Sequence, residues 1–230
     1  MRVHLQRDIE KLKRRLLVLS TEAEEDVRLA ARALAERNET LAREVVAREA
    51  QTNAMEVDIE EDCLKILALH QPVAGDLRYI IAALKIDRDL ERIADLAAHI
   101  AERSLALFAL PALDLPFRLD EMAARVQAML KQALDAFVGL DTAAAHAVCA
   151  MDGEINAIKK DTFRQVRAGI LQNPGRFDAL MQVMHIARHL ERIADHATNI
   201  AEDLIYLAEG RIVRHTAEVA SAPVAERDQR

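Results

Sequence analysis

The stretch Leu90–Glu102, LERIADLAAHIAE, is written a second time in the chain as Leu190–Glu202, LERIADHATNIAE. Ten of the thirteen positions are identical, and the copies are 191 − 91 = 100 residues apart. In both copies apolar residues recur every three or four positions, the spacing that places them on one side of an α-helix. The repeat therefore predicts that the 230-residue chain consists of two similar helical halves.

The composition favours an all-α fold built from long helices. Apolar residues make up 51% of the chain and charged residues 30%, while only six Gly and five Pro interrupt them. The net charge of −7 argues against nucleic acid as a partner, because phosphate contacts need a basic surface. The most apolar run, Leu105–Leu113, is too short to span a bilayer, and charged residues occupy the N-terminus where a secretory signal would be apolar. We therefore expect a cytoplasmic protein without a membrane span.

Proline and glycine residues divide each half into three helices. Pro72 and Gly75 interrupt the first half, and Pro174 and Gly175 interrupt the second at the corresponding place. The helices are expected at about 5–37, 40–70, 76–108, 119–138, 142–171 and 176–209. Three helices joined by short turns bury their apolar stripes by packing up, down and up. We predict one three-helix bundle in residues 1–112, a second in residues 113–212, and a flexible tail in residues 213–230.

Acidic residues continue the apolar stripe of the third and sixth helices. Residues seven apart lie on nearly the same side of a helix, and Glu91 follows Leu77 and Leu84 in this way. Glu191 follows Phe177 and Met184 in the same manner. Carboxylates four residues apart repel one another unless a cation lies among them. The acids are therefore expected to lie in a site that holds a cation, and not on an ordinary solvated surface.

Two kinds of cation could neutralise these acids, and the spacing leaves both open. Nearby arginines, among them Arg92 and Arg192, would give a metal-free helical scaffold held by ion pairs. A hard metal ion would instead use clustered carboxylate oxygens with an occasional imidazole. The candidate metal ligands are Asp87, Glu91, Asp95 and His99 in the first half and Glu191, Asp195, Asn199 and Asp203 in the second.

Catalytic motifs are absent from the sequence. It contains no glycine-rich phosphate loop, no His-Glu-x-x-His motif, and no serine or cysteine in a recognisable nucleophile context. We therefore expect a protein that is not an enzyme, with a metal-dependent phosphate-handling enzyme as the alternative.

Two phrases in the chain resemble the PhoU family of bacterial phosphate-transport accessory proteins. They are HQPVAGDLR at His70–Arg78 and the doubled LERIAD, and the resemblance extends from about Leu5 to Glu209. It implies two tandem three-helix bundles in a cytoplasmic, often homodimeric regulator. Such regulators restrain phosphate uptake and the phosphate-starvation response. The resemblance implies that the partners are the ATPase subunit of the phosphate ABC transporter and a sensor histidine kinase.

The resemblance also implies a metal. Some members of the family carry multinuclear iron or zinc clusters on an E/D-x-x-x-D-x-x-x-D/N motif, and other divalent ions are compatible with the same ligands. In this chain the motif falls on Glu91, Asp95 and His99, and again on Glu191, Asp195 and Asn199. His99 departs from the motif, and Ala187 replaces the acid present at Asp87. The two sites are therefore expected to have unequal ligands.

Overall fold

A computed structural model of the protein describes residues 2–111, 113 and 117–211. The described residues form six α-helices, which confirms the predicted all-α fold. The helices are α1 (Arg2–Glu36), α2 (Glu39–His70), α3 (Ala74–Phe108), α4 (Leu119–Gly139), α5 (Thr142–Gln172) and α6 (Phe177–Glu209). The predicted boundary between residues 112 and 113 falls between α3 and α4. The tail predicted for residues 213–230 lies outside the described residues.

The helix ends follow local sequence signals. The side chains of Asn38 and Asp141 cap α2 and α5 by accepting hydrogen bonds from the third backbone N–H of each helix, at 3.1 and 3.0 Å. Helix α2 ends at His70, and the next residue, Gln71, has a left-handed backbone (φ 46°) and precedes Pro72. A short 3₁₀ turn, Pro174–Arg176, precedes α6, so this helix begins at Phe177, one residue later than expected.

The buried apolar side chains of all six helices form one continuous core. In α1 the stripe of Leu12, Leu16 and Leu19 is fully buried, as its spacing requires. Ile93 and Ile193, which occupy equivalent positions in the repeat, are also fully buried. At this position the duplicated segment therefore contributes the same apolar side chain to the core in both halves.

The two bundles pack against each other along α3 and α6. Lys85 of α3 forms an ion pair with Asp203 of α6 at 3.1 Å, and the rings of His99 and His189 stack at 5.4 Å between centroids. Higher residue numbers of α3 therefore meet lower numbers of α6, so the two helices are antiparallel. In the described part of the chain no helix carries an apolar stretch sufficient to cross a lipid bilayer.

Candidate functional site

The first acid row consists of Asp87, Glu91 and Asp95 of α3, and it begins at a buried carboxylate. Asp87 is only 1% exposed, and its Oδ1 atom has no hydrogen-bond partner among the described residues. Burial, the largest cause, and the neighbouring carboxylates of Glu56, Glu60 and Glu91 together raise the pKa of Asp87 to about 8. An acid in these surroundings is costly to ionise unless a cation is added.

Glu91 and Asp95 continue this row toward solvent and share one arginine. Arg92 lies 3.3 Å from Glu91 and 3.1 Å from Asp95. Burial raises the pKa of Glu91, as does the charge of Asp95, while Arg92 opposes the rise. The Arg92 side chain is 47% exposed, so its ion pairs with the row contribute little to stability. Arginine therefore forms the expected ion pairs at the exposed end of the row, with Glu91 and Asp95. The carboxyl group of Asp87 is buried at the other end.

The second acid row consists of Glu191 and Asp195 of α6. A lysine of α5 supplies a cation to it. The ammonium of Lys159 contacts the carboxylate of Glu191, and both side chains are mostly buried. Partial burial raises the pKa of Asp195 to about 6, as do Glu191 and Asp152, while Lys159 lowers it. The Asn156 amide donates a hydrogen bond of 2.7 Å to Asp152 beside this row. The second row is therefore an internally paired version of the first.

The remaining predicted ligands lie between the bundles. His99 stacks on His189 of α6, and Asn199 donates a hydrogen bond of 3.2 Å to Asp89 of α3. Asp203 is 2% exposed and contacts Lys85 across the same interface. The structure thus brings Asp87, Glu91 and Asp95 together, and also Glu191 and Asp195, whereas His99, Asn199 and Asp203 contact the opposite bundle.

The contacts between α3 and α6 pair equivalent positions of the repeat. Positions 89 and 189 are equivalent, as are 99 and 199, because the copies are 100 residues apart. The pair formed by Asp89 and Asn199 therefore corresponds to the pair formed by His189 and His99. The two bundles are related by an approximate twofold axis, and the third position of each motif faces the other bundle.

The second helix of each bundle, α2 or α5, also contributes residues to the acid rows, and these residues were not among the predicted ligands. They are Glu56 and Glu60 of α2 beside Asp87, and Asp152 and Lys159 of α5 beside the second row. A signal was present, because Glu49-x-x-x-Asn53 recurs as Asp152-x-x-x-Asn156 at an offset of 152 − 49 = 103 residues. That offset aligns Lys159 with Glu56. Within residues 2–111, 113 and 117–211, no three His, Cys, Asp or Glu side chains converge to hold a metal ion in their present conformations.

Comparisons with known proteins agree with the resemblance found in the sequence. The PhoU domain family model matches residues 16–104 and again residues 119–204, one match to each bundle. The chain is 36% identical to a phosphate-specific transport system accessory protein PhoU homolog of Pseudomonas putida, over 96% of this chain and 90% of that protein. It is also 36% identical to the protein of the same name from Aquifex aeolicus (strain VF5), over 91% and 95% of the two chains.

Solved structures show the same fold. The crystal structure of PhoU from Pseudomonas aeruginosa superimposes with a TM-score of 0.87 at 34% identity, and the similarity covers 90% of this chain and 99% of that one. The phosphate transport system regulatory protein PhoU from Streptococcus pneumoniae gives a TM-score of 0.81 at 27% identity, over 91% and 99% of the two chains. With a family match in both bundles and relatives that align over nine tenths of its length, this chain belongs to the PhoU family.

Proposed function

We propose that this protein is a non-enzymatic regulator of phosphate uptake and of the phosphate-starvation response. The observation that carries the proposal is the double PhoU match over both bundles, joined to relatives named as accessory proteins of the phosphate-specific transport system. In this proposal the protein acts in the cytoplasm as a homodimer. It serves as an adaptor between the ATPase subunit of the phosphate ABC transporter and a sensor histidine kinase.

The surface of the first bundle supports an adaptor role. Several large apolar side chains of α1 and α2 are about half exposed or more: Leu17, Val18, Val57, Leu64 and Leu69. Val57 and Leu64 are seven residues apart on α2 and therefore share one side of that helix. Exposed apolar side chains on rigid helices are suited to binding another protein. These exposed side chains of α1 and α2 are thus a candidate surface for contacting a partner.

The acid row of the first bundle fits a metal ion in its donor chemistry. Asp87 supplies a buried carboxylate oxygen without a partner, and the buried Oδ1 atom of Asn53 on α2 has no partner among the described residues either. Carboxylate and amide oxygens are ligands for hard divalent ions, and carboxylates also bind zinc and iron. We propose that Asp87, Glu91 and Asp95, together with Glu56 of α2, hold iron, zinc or another divalent ion. The ion would neutralise their charge and stiffen the bundle, and these side chains would have to turn toward one another to bind it.

The adaptor role is tested by purifying the affinity-tagged protein from cells grown in phosphate-rich and phosphate-poor media. We expect the ATPase subunit of the phosphate transporter to co-purify more than tenfold above a tag-only control in the rich medium, because the proposal places restraint of uptake there. Mass spectrometry with isotope-labelled reference peptides measures the enrichment. A Val57→Asp/Leu64→Asp variant provides the matched control, and its complex should be weaker if α2 is the contact. Failure to detect the ATPase subunit in either medium would contradict the adaptor role.

A further inference from the structure

The second acid row differs from the first at two of five equivalent positions. Three positions are unchanged: Asn53 corresponds to Asn156, Glu91 to Glu191, and Asp95 to Asp195. The other two change the charge, because Lys159 takes the place of Glu56 and Ala187 takes the place of Asp87. The first bundle thus has four carboxylates at these positions, whereas the second has two carboxylates and one ammonium.

The positive charge is in contact with the acids of its row. The ammonium of Lys159 reaches the carboxylate of Glu191, with the lysine side chain 21% exposed and the glutamate side chain 15% exposed. A paired, mostly buried ammonium supplies the cation that clustered carboxylates require, and it repels a second cation. Ala187 is fully buried and offers no ligand at the place of Asp87.

We infer that Lys159 has replaced the metal in the second bundle, so that this protein binds metal at the first acid row alone. The residues of the second row do not fit the multinuclear site implied for both halves of the family, because two of the four carboxylates are missing and an ammonium stands in place of one of them. The inference rests on the proposed metal site only for the first bundle. For the second row it rests on the contact between the ammonium of Lys159 and the carboxylate of Glu191. The tandem repeat would then contain one metal-responsive bundle and one bundle whose acid row holds a cation of its own, the ammonium of Lys159.

The inference is tested with zinc chloride added to chelator-treated protein, followed by buffer exchange and elemental analysis of bound zinc. We expect Glu91→Gln/Asp95→Asn to lose at least nine tenths of the zinc bound by the wild-type protein. The matched change in the second row, Glu191→Gln/Asp195→Asn, should leave bound zinc unchanged. Lys159→Glu/Ala187→Asp restores the first-bundle residues at both positions and should about double the zinc bound. That gain should disappear when Glu191→Gln/Asp195→Asn is added.

Two results would overturn the assignment of Lys159 as the cation of the second row. One is a loss of about half the wild-type zinc in Glu191→Gln/Asp195→Asn, which would mean that the second row binds metal despite Lys159. The other is a Lys159→Glu/Ala187→Asp variant that has wild-type helix content by circular dichroism and yet gains no zinc. If the wild-type protein binds no zinc at all, the metal site proposed for the first row fails. A gain of bound zinc in Lys159→Glu/Ala187→Asp would still support the conclusion that Lys159 prevents metal binding at the second row.

Discussion

We expect the Asp87→Asn variant, freed of metal, to be more stable than the wild-type protein. At pH 7 the free energy of unfolding should rise by roughly 2–4 kcal/mol, because folding of the wild-type protein must bury a carboxyl whose pKa moves from 3.8 to about 8. The asparagine amide carries no charge and can donate hydrogen bonds to the neighbouring glutamates. Urea unfolding in the presence of a chelator measures the difference.

The pH dependence gives this prediction a second readout. Between pH 3.8 and about 8 the folded wild-type protein holds a proton on Asp87 that the unfolded chain releases. The free energy of unfolding of the wild-type protein should therefore fall as pH rises through this window. Asp87→Asn has no carboxyl group at this position, so its free energy of unfolding should not show this fall. The difference should be largest at pH 8 and disappear near pH 4. Asp95→Asn is the matched control and should gain much less, because Asp95 is already paired with Arg92.

Adding metal should reverse the order of stability. A ligand that binds only the folded state stabilises it, and Asp87→Asn removes one of the proposed ligands. The wild-type protein should therefore gain stability on addition of zinc, while the variant gains little. If metal-free Asp87→Asn is less stable than the wild-type protein at pH 8, Asp87 is a structural acid and the account of the first row is wrong.

The second large effect is expected at the interface between the bundles. Asp89 is 9% exposed and accepts hydrogen bonds from His196 Nδ1 at 2.7 Å and from Asn199 Nδ2 at 3.2 Å. Replacement by alanine leaves both donors without this acceptor, so Asp89→Ala should lower the free energy of unfolding by roughly 2 kcal/mol. Urea unfolding monitored by circular dichroism provides the measurement.

A variant on the protein surface serves as the control for Asp89→Ala, because it also removes one carboxylate. Asp135 forms an ion pair with Lys131 on α4, and its side chain is 68% exposed. Asp135→Ala should therefore change stability by less than about 0.5 kcal/mol. Equal losses in Asp89→Ala and Asp135→Ala would mean that the contacts of Asp89 with α6 do not stabilise the assembled bundles.

The helices were predictable because their signals are local. Apolar spacing and the breaks at Pro72 and Pro174 gave helix ends within a few residues, and the repeat gave the division into two similar halves. Asp87 and Glu91 could also be placed in one row from their spacing of four residues, since residues four apart are neighbours on the surface of a helix. These inferences need only the geometry of a single helix.

The contacts between helices could not be obtained in this way. A row of residues spaced by four turns about 40° around an α-helix at each step, so a row begun at Asp87 has turned about 120° by His99. The row therefore starts against α2 and ends against α6, where His99 meets His189. Lys159 was missed for a related reason, because it comes from α5 and only alignment of the second helices of the two halves shows that it replaces Glu56.

The most direct test of the regulatory role is the phosphate-starvation response of cells that lack this protein. In phosphate-rich medium, a starvation-induced reporter should be at least tenfold more active in a deletion strain than in the parent. Expression of the wild-type chain in the deletion strain should restore the low activity. A reporter that stays equally low in phosphate-rich medium with and without the protein would contradict the proposed function.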